Sequence, residues 1–378
     1  MSKLDELIQK FCPNGVEYKQ LQDILKIKNG SDYKTFREGD IPVYGTGGII
    51  AHIDRWVYDK PSVLIPRKGS IDKLYYVSTP FWNVDTIFYT EINTEIVEPK
   101  FLYFSLQKQH LEKLNTAGGV PSLTQNVLNK VRLPIPPLVV QREIVRVLNH
   151  FTFLTAELTE ELTARKKQYE YYRDTLVSKY VSNKNVRLDS VCEIYDGIHQ
   201  TPKYTNSGVP FVSVENIDNL YGTSKFISEE AYSKYKIKPQ IGDVFMTRIT
   251  AGVIGQCAVV DRNDDLAYYV SLALLRPNPD ILDSKYLKYY IESRYGKKEL
   301  NKRILWNATP TKINKEDIGK IDVFLPPLDE QRRLVNVLDN FDAICSDLQI
   351  GLPAEIEARQ KQYEYYRGKL LTFEELSK

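Results

Sequence analysis

The sequence predicts an α+β protein in which two globular domains alternate with two long helices that pack as an antiparallel coiled coil, arranged as a pseudo-twofold internal repeat. Three observations predict it. The heptapeptide KQYEYYR occurs twice, at Lys167–Arg173 and Lys361–Arg367. The stretch from Leu138 through Val181 contains no Gly or Pro, and its apolar residues recur at steps of three and four. The segments outside the long helices carry short β-forming runs broken by Gly, Asn, Thr and Pro, the pattern of strands and turns.

The repeat extends beyond the heptapeptide. Pro136-Pro137-Leu138 with Gln141-Arg142 matches Pro326-Pro327-Leu328 with Gln331-Arg332 at an offset of 190 residues, and Phe151 matches Phe341 at the same offset. At the heptapeptide the offset is 194, so the second copy carries four extra residues, most simply Pro353-Ala354-Glu355-Ile356. A weaker echo lies upstream. Leu21-x-x-Ile24-x-x-Ile27-x-x-Gly30 matches Leu188-x-x-Val191-x-x-Ile194-x-x-Gly197, Lys100-Phe101-Leu102 matches Lys285-Tyr286-Leu287, and Leu123 and Leu128 match Ile313 and Ile318. The order is therefore A–B–A′–B′, and the A units have diverged where the B units have not.

The elements follow in order. Residues 1–14 form a short helical segment, with Leu4–Phe11 before the first A unit. Residues 15–135 form the first globular domain, with β-like runs at Ile41–Tyr44, Ser62–Ile65, Leu74–Val77 and Thr86–Tyr89 and a helix within Pro99–Leu114. Residues 136–182 form the central long helix. Its stripe runs through Ile144, Leu148, Phe151, Leu154, Leu158, Leu162, Tyr169, Tyr172 and Leu176, the helical period. About 40 residues at 1.5 Å each span about 60 Å, and such a stripe needs a partner. Residues 183–325 form the second globular domain, with runs at Pro210–Val214, Asp243–Thr247, Gln256–Val260 and Tyr268–Leu275 and helix within Asp283–Arg303. Residues 326–378 form the second long helix, which Gly351 and Pro353 should kink or interrupt.

Composition bounds the function. The 378 residues carry a net charge of +2, so no whole-molecule field selects an acidic partner. No apolar run reaches the ~20 residues of a membrane helix, and no apolar signal segment opens the chain. Cys12, Cys192, Cys257 and Cys345 lie far apart and read as reduced thiols of a cytoplasmic protein. The isolated His52, His110, His150 and His199 have no zinc-ligand spacing. Tyr44-Gly45-Thr46-Gly47-Gly48 lacks the third Gly of a dinucleotide loop and the Lys-Ser/Thr of a phosphate loop. No cluster of acids, bases or nucleophiles reads as a catalytic centre, so no catalytic residue, metal site or bound cofactor is expected.

The candidate binding residues sit on loops and on the repeated helices. Loops rich in Gly, Thr, Asn, Lys and Arg suit contacts to phosphates and base edges; the plainer reading is that soluble proteins have such loops. In the first domain the candidates are Lys34, Tyr44, Thr46, Arg67, Lys68, Ser122 and Gln125. In the second they are His199, Gln200, Lys203, Asn216, Arg248, Thr250, Arg303, Asn307 and Lys312. Basic strips are expected around Arg67-Lys68 and Lys302-Arg303. On the helices, Gln141, Arg142, Tyr169, Tyr172 and Arg173, with Gln331, Arg332, Tyr363, Tyr366 and Arg367, read either as coiled-coil packing or as a twice-used docking surface. Tyr and Arg are the residue types enriched at interface centres.

The A–B–A′–B′ order, the Pro-Pro-Leu-x-x-Gln-Arg openings, the KQYEYYR helix ends and the Gly30 and Gly197 repeats resemble the specificity (S) subunit of Type I restriction–modification systems. The resemblance covers essentially the whole chain. It implies that 15–135 and 183–325 are target recognition domains, each reading one half of a split double-stranded DNA site. It implies that the helices space the halves and dock two methyltransferase subunits, which carry S-adenosylmethionine and methylate adenine. Restriction subunits, up to two, would bring ATP, Mg and cleavage. The chain itself would supply the address, not the chemistry. Three rivals stand beside this: a same-architecture subunit whose single partner fuses methylation and cleavage, a scaffold with degenerate recognition domains, and an independent enzyme, which the missing motifs disfavour.

Overall fold

A computed structural model describes residues 3–115, 121–179, 185–346 and 351–376. The chain divides into two compact units: Met1–Thr159 with Glu355–Lys378, and Glu160–Ala354. Each unit takes one globular domain and a part of each helical repeat.

In the first unit, α1 (Lys3–Phe11) precedes β1 (Glu17–Gln20), which pairs antiparallel with β9 (Arg132–Ile135). The short α2 (Leu21–Ile24) leads into β2 (Leu25–Asn29). A four-stranded sheet orders β2, β8 (Ile87–Ile92), β5 (Ser62–Pro66) and β6 (Tyr75–Val77). A three-stranded sheet orders β4 (Gly48–Ile53), β3 (Ile41–Gly45) and β7 (Trp82–Asn83), with β3 and β7 parallel. β5 is buried at all five positions, which is why it reads as a continuous apolar run rather than an alternating one. Helix α3 (Pro99–Lys108) lays Phe101, Leu102 and Phe104 into the core beside Val63, Ile65 and Phe88. The short α4 (Gln125–Asn129) precedes β9. Leu4 of α1 joins this core.

The second unit repeats that topology. β10 (Asn185–Arg187) pairs with β20 (Asp322–Phe324). One sheet orders β11 (Cys192–Asp196), β18 (Leu272–Pro277), β14 (Val244–Thr247) and β16 (Cys257–Val259). Another orders β13 (Phe226–Ile227), β12 (Val209–Val212) and β17 (Ala267–Tyr268), again with the last pair parallel. Helix α6 (Glu229–Tyr232) belongs to the second unit's longer middle. Helices α7 (Ser284–Glu292) and α8 (Arg294–Asn301) cover the four-stranded sheet. β15 (Ile249–Thr250) pairs with β19 (Thr311–Lys312), and α9 (Lys315–Gly319) follows. Gly30 and Gly197 occupy one station of the repeated fold for one reason. A Cβ at Gly30 would fall on the carbonyls of Asn83 and Val84, and one at Gly197 on the backbone of Tyr268 and Tyr269.

The central helix α5 is continuous from Leu138 to Ser178, while its repeat is two helices, α10 (Leu328–Ser346) and α11 (Leu352–Leu370). Gly351 lies in a bend just before α11, and Pro353 is that helix's second residue. The expected interruption is there. Residues 347–350, 116–120 of the polar loop and 180–182 of the first long-helix segment lie outside the described residues. In the first unit, Phe151 near the start of α5 stacks on Tyr366 near the end of α11, with ring centroids 5.2 Å apart. In the second unit, Tyr172 near the end of α5 stacks on Phe341 of α10 at 5.3 Å. Earlier in α5, Val147 shares a cleft with Lys369 and Leu370, and Arg165 and Lys166 lie near Cys345, so each helix pair runs antiparallel.

A buried amide fixes each helix to its domain. Gln141 is fully buried. Its Oε1 accepts from the Glu98 N–H (2.8 Å), and its Nε2 donates to the Ile96 carbonyl (2.9 Å) and the Pro136 carbonyl (2.7 Å). Gln331, also fully buried, accepts from the Asp283 N–H (2.8 Å) and donates to the Ile281 and Pro326 carbonyls, each at 2.9 Å. Glu98 and Asp283 are the N-caps of α3 and α7. The latch therefore ties the start of the long helix to the start of the domain's own helix.

The first unit also closes the repeat without a covalent link. In the second unit the chain itself leads from α5 to β10. In the first, the segment after α11 returns to the start of the domain. Val16 bridges Glu375, with Val16 N–H donating to the Glu374 carbonyl at 2.8 Å and Leu376 N–H to the Val16 carbonyl at 3.0 Å. The Tyr18 hydroxyl reaches the Phe373 carbonyl (2.8 Å), and Arg132 pairs with Glu375 (2.5 Å). Gly15 permits this at φ +94°, where a Cβ would stand 2.5 Å from the Glu374 carbonyl oxygen.

The latch predicts a stability effect. Gln141→Leu and Gln331→Leu should each destabilise the chain by about 2–4 kcal/mol, because each leaves a buried N–H and two carbonyls without partners. Thermal and denaturant unfolding of the variants checks this; a loss below about 0.5 kcal/mol would remove the latch role.

Candidate nucleic-acid interface and docking surface

The repeated heptapeptide places its side chains alike in the two units. Tyr169 packs edge-on against Tyr289 of α7 and Tyr363 against Phe104 of α3, both at 6.4 Å. Arg173 lies over the Tyr169 ring at 5.4 Å and Arg367 over the Tyr363 ring at 5.3 Å. Burial raises the Tyr363 hydroxyl's pKa and drives that of Tyr169 far above its ordinary value. Tyr172 and Tyr366 form the inter-helix stacks. These residues therefore hold each helix to its domain and to the other helix. Gln141 and Gln331 are likewise committed inside the fold, so neither amide stands on the outer surface where a docking role would need it. Arg142 and Arg332 are exposed.

The outward residue of the motif is its middle tyrosine. Tyr171 and Tyr365 are 66% and 64% exposed and turn edge-on to Tyr172 and Tyr366. Sequence reasoning read the heptapeptide as one face and passed over them. The signal was available: 100° per residue takes Tyr171 off the stripe through Tyr169, Tyr172 and Leu176.

In the first domain the structure gathers five of the seven loop candidates. The Arg67 N–H donates to the Thr86 carbonyl (2.8 Å), and the Thr46 hydroxyl donates to the same oxygen (3.3 Å). Lys68 bridges Ser122, the Leu123 N–H reaches the Arg67 carbonyl (2.9 Å), and the Gly69 N–H reaches the Pro121 carbonyl (3.0 Å). Gln125 Nε2 donates to the Ile27 carbonyl (3.3 Å) and to Asn29 Oδ1 (3.4 Å). Lys68 is exposed and Arg67 half-buried, and among the described residues neither pairs with a carboxylate. Tyr75, absent from the sequence candidates, joins the group by donating to the Thr46 carbonyl (2.9 Å). Tyr44 instead turns into an aromatic cluster with Tyr75 and Phe81, where burial raises its pKa. Lys34 is exposed on the loop between β2 and β3, its N–H held by Asp32 (3.2 Å). No contact among the described residues joins it to the Arg67 group.

The second domain corrects several expectations. Arg248 is only 6% exposed and is ion-paired to Asp196, so its guanidinium does not stand on the surface. Arg303 is held by Glu299 and by the Lys320 carbonyl, and Lys302 also pairs with Glu299. The expected Lys302-Arg303 strip is thus partly offset by a single carboxylate, Glu299, which pairs with both cations. Asn216 accepts from the Ser213 N–H (3.1 Å) and caps a short turn. Thr250 accepts from the Gly252 N–H (2.9 Å), and Lys312 is half-buried in the β15–β19 ladder. His199, Gln200, Lys203 and Asn307 are exposed. Beside Asn307 stands Trp306, 62% exposed, which the search for polar loop residues missed. The four cysteines are buried and unpaired. Among the described residues no metal-binding cluster occurs, and no helix is long and apolar enough to cross a membrane.

Comparison with known proteins gives these features a context. The family model of the Type I restriction modification DNA specificity domain matches twice, over residues 13–165 and 180–358. A putative type I restriction enzyme specificity subunit of Haemophilus influenzae is 28% identical over 380 residues, covering 95% of this chain and 96% of that protein. The EcoR124I/EcoR124II specificity subunit of Escherichia coli is 34% identical over 265 residues, 65% of this chain and 63% of that one. The fold matches the crystal structure of the S subunit of M. genitalium with a TM-score of 0.60 at 13% identity, covering 94% and 96% of the two chains. A chain from a study of the assembly and conformational transition of a type I system matches with a TM-score of 0.61 at 19% identity, covering 96% and 98%.

The placement of the heptapeptide predicts a contrast in stability. Tyr169→Ala and Tyr363→Ala should each cost about 2 kcal/mol or more, as packed aromatics do. Tyr171→Ser and Tyr365→Ser should stay within about 0.5 kcal/mol of wild type. Thermal unfolding of the four variants reads both effects, and equal losses at all four sites would contradict the placement.

Proposed function

The chain belongs to the Type I restriction modification DNA specificity family, and on that premise we propose that it is the non-catalytic address of a modification complex, with each globular domain reading one half of a bipartite double-stranded DNA target. The observation that carries the reading is the duplication itself. One strand topology occurs twice, yet the loops at equivalent stations differ in charge and side chain. A repeated frame with unlike loops suits a pair of readers aimed at two different sequences. The frame fixes position; the loops supply the groups that select bases.

The antiparallel helices space the two readers and offer the same surface twice. Exposed Tyr171 and Tyr365, with exposed Arg142 and Arg332, are large amphipathic and cationic groups of the kind that anchor protein interfaces. Their recurrence suits two copies of one methyltransferase subunit. Those partners carry S-adenosylmethionine and the adenine chemistry. Restriction subunits, where the system has them, bring ATP, Mg and cleavage in the cytoplasm. The first domain's Arg67 and Lys68 engage the DNA backbone or its bases, while the partners add phosphate contact that the near-neutral net charge of +2 does not supply. Affinity of the complex should accordingly fall as salt rises.

Methylome sequencing of cells expressing this chain with the methyltransferase encoded beside it tests the reading. The expected result is one new split, asymmetric motif with a modified adenine in each half. No new motif in cells where the complex demonstrably assembles would contradict it and favour a scaffold with degenerate domains.

A further inference from the structure

The sheet register makes Arg67 and Arg248 the same station of the repeated fold. In the first domain, Ile65 of β5 pairs with Phe88 of β8, and Phe88 pairs with Asn29 of β2. In the second, Met246 of β14 pairs with Ala273 of β18, and Ala273 pairs with Asp196 of β11. Each arginine follows two residues after the first member of its row. The backbone around them agrees. The Arg67 N–H donates to the Thr86 carbonyl (2.8 Å), and the Arg67 carbonyl accepts from Leu123 (2.9 Å). The Arg248 N–H donates to the Ser271 carbonyl (2.9 Å), and the Arg248 carbonyl accepts from Ile313 (2.9 Å).

The side chains at the two stations have opposite fates. In the first domain the middle of the row is Phe88, a buried ring over which the Arg67 guanidinium sits at 5.7 Å. The far end of the row is Asn29, which is neutral. Among the described residues Arg67 makes no ion pair and no side-chain hydrogen bond, and residues 116–120 contain no acid. In the second domain the middle of the row is Ala273. With no ring beneath it, Arg248 reaches the Asp196 carboxylate at the far end; the guanidinium is buried and the carboxylate half-buried. The Arg248 Nε is left buried without a partner.

We propose that Arg67 is a DNA-contacting, specificity-determining residue of the first half-site, while Asp196 withholds Arg248, the same station of the second domain, from DNA. This deepens the bipartite reading above and rests on it. A guanidinium with five donors and no internal acceptor seeks DNA acceptor atoms, either phosphate oxygens or the O6 and N7 of guanine. The identity of the two side chains at the ends of one strand row, Asn29 or Asp196, thus decides whether the station is offered or closed. The two half-sites are bound with unequal charge although the frames that read them are alike.

The test uses the chain assembled with its methyltransferase, and DNA binding is measured against salt on DNA carrying the methylated motif. Arg67→Gln should weaken binding about tenfold. A phosphate contact would lower the salt slope by about one with the motif unchanged; a guanine contact would relax one base position in a single half of the methylated motif. The neutral pair Asp196→Asn with Arg248→Gln removes both charges of the ion pair together and should leave the slope and the motif as in wild type. Asp196→Asn alone frees a guanidinium and should steepen the slope by about one. The inference is overturned alone if the wild-type complex binds its motif and Arg67→Gln changes neither affinity, slope nor motif. It is also overturned if the neutral pair moves the slope as far as Arg67→Gln does. A wild-type complex that assembles but does not prefer its motif over unrelated DNA overturns the bipartite reading, and this inference with it.

Discussion

Everything that this chain offers to a partner depends on one buried amide used twice. Gln141 and Gln331 each satisfy the first N–H of a domain helix and two carbonyls that no strand or helix bond reaches. A buried polar group with its partners in place specifies one geometry, since any other leaves those groups unpaired. The long helix therefore leaves each domain at a fixed place, and the aromatic contacts of KQYEYYR follow. Tyr169 and Tyr363 meet the domain helix, and Tyr172 and Tyr366 meet the opposite repeat. In both copies the first and third tyrosines and the arginine of the heptapeptide make these contacts, while the middle tyrosine stays exposed.

That frame also accounts for the ends of the described chain. The second unit receives its helix through the peptide backbone, and the first receives it through Val16, Tyr18 and Arg132 against Phe373–Leu376. Gly15 lets the two strands approach. Each globular domain therefore receives a helix end at the same station, held by hydrogen bonds in the first unit and by the chain itself in the second. The loops lie outside this constraint. They vary without disturbing the latch, the stacks or the closing strands, so the residues that would select DNA are free to diverge while the residues that position them are not.

The frame was legible in the sequence because its contacts are repeated side chains at repeated spacing. The two-domain, two-helix organisation, the central helix, the break near Gly351 and the apolar strands β3, β5, β8, β12, β14 and β18 followed from periodicity and self-similarity. Part of what failed to follow has its deciding partner far away in sequence. Gln141 beside Arg142 looks like a surface pair until Glu98, 43 residues upstream, supplies its N–H. Arg248 looks like a loop cation until Asp196, 52 residues away, claims it. Lys302 and Arg303 look like a basic strip until the helical turn places Glu299 under both. Tyr171 and Tyr365 were hidden for the opposite reason, since a motif conserved as a block invites reading as a single face.

The central claim is that two independent readers share one repeated frame, and a domain exchange tests it most directly. Residues 15–135 are replaced by the matching domain of a relative whose methylated motif differs, and the motif is mapped for the hybrid chain with its methyltransferase. The account predicts that one half of the split motif changes to that of the donor while the other half stays as it was. A change in both halves, or an unchanged motif in an assembled complex, would contradict it.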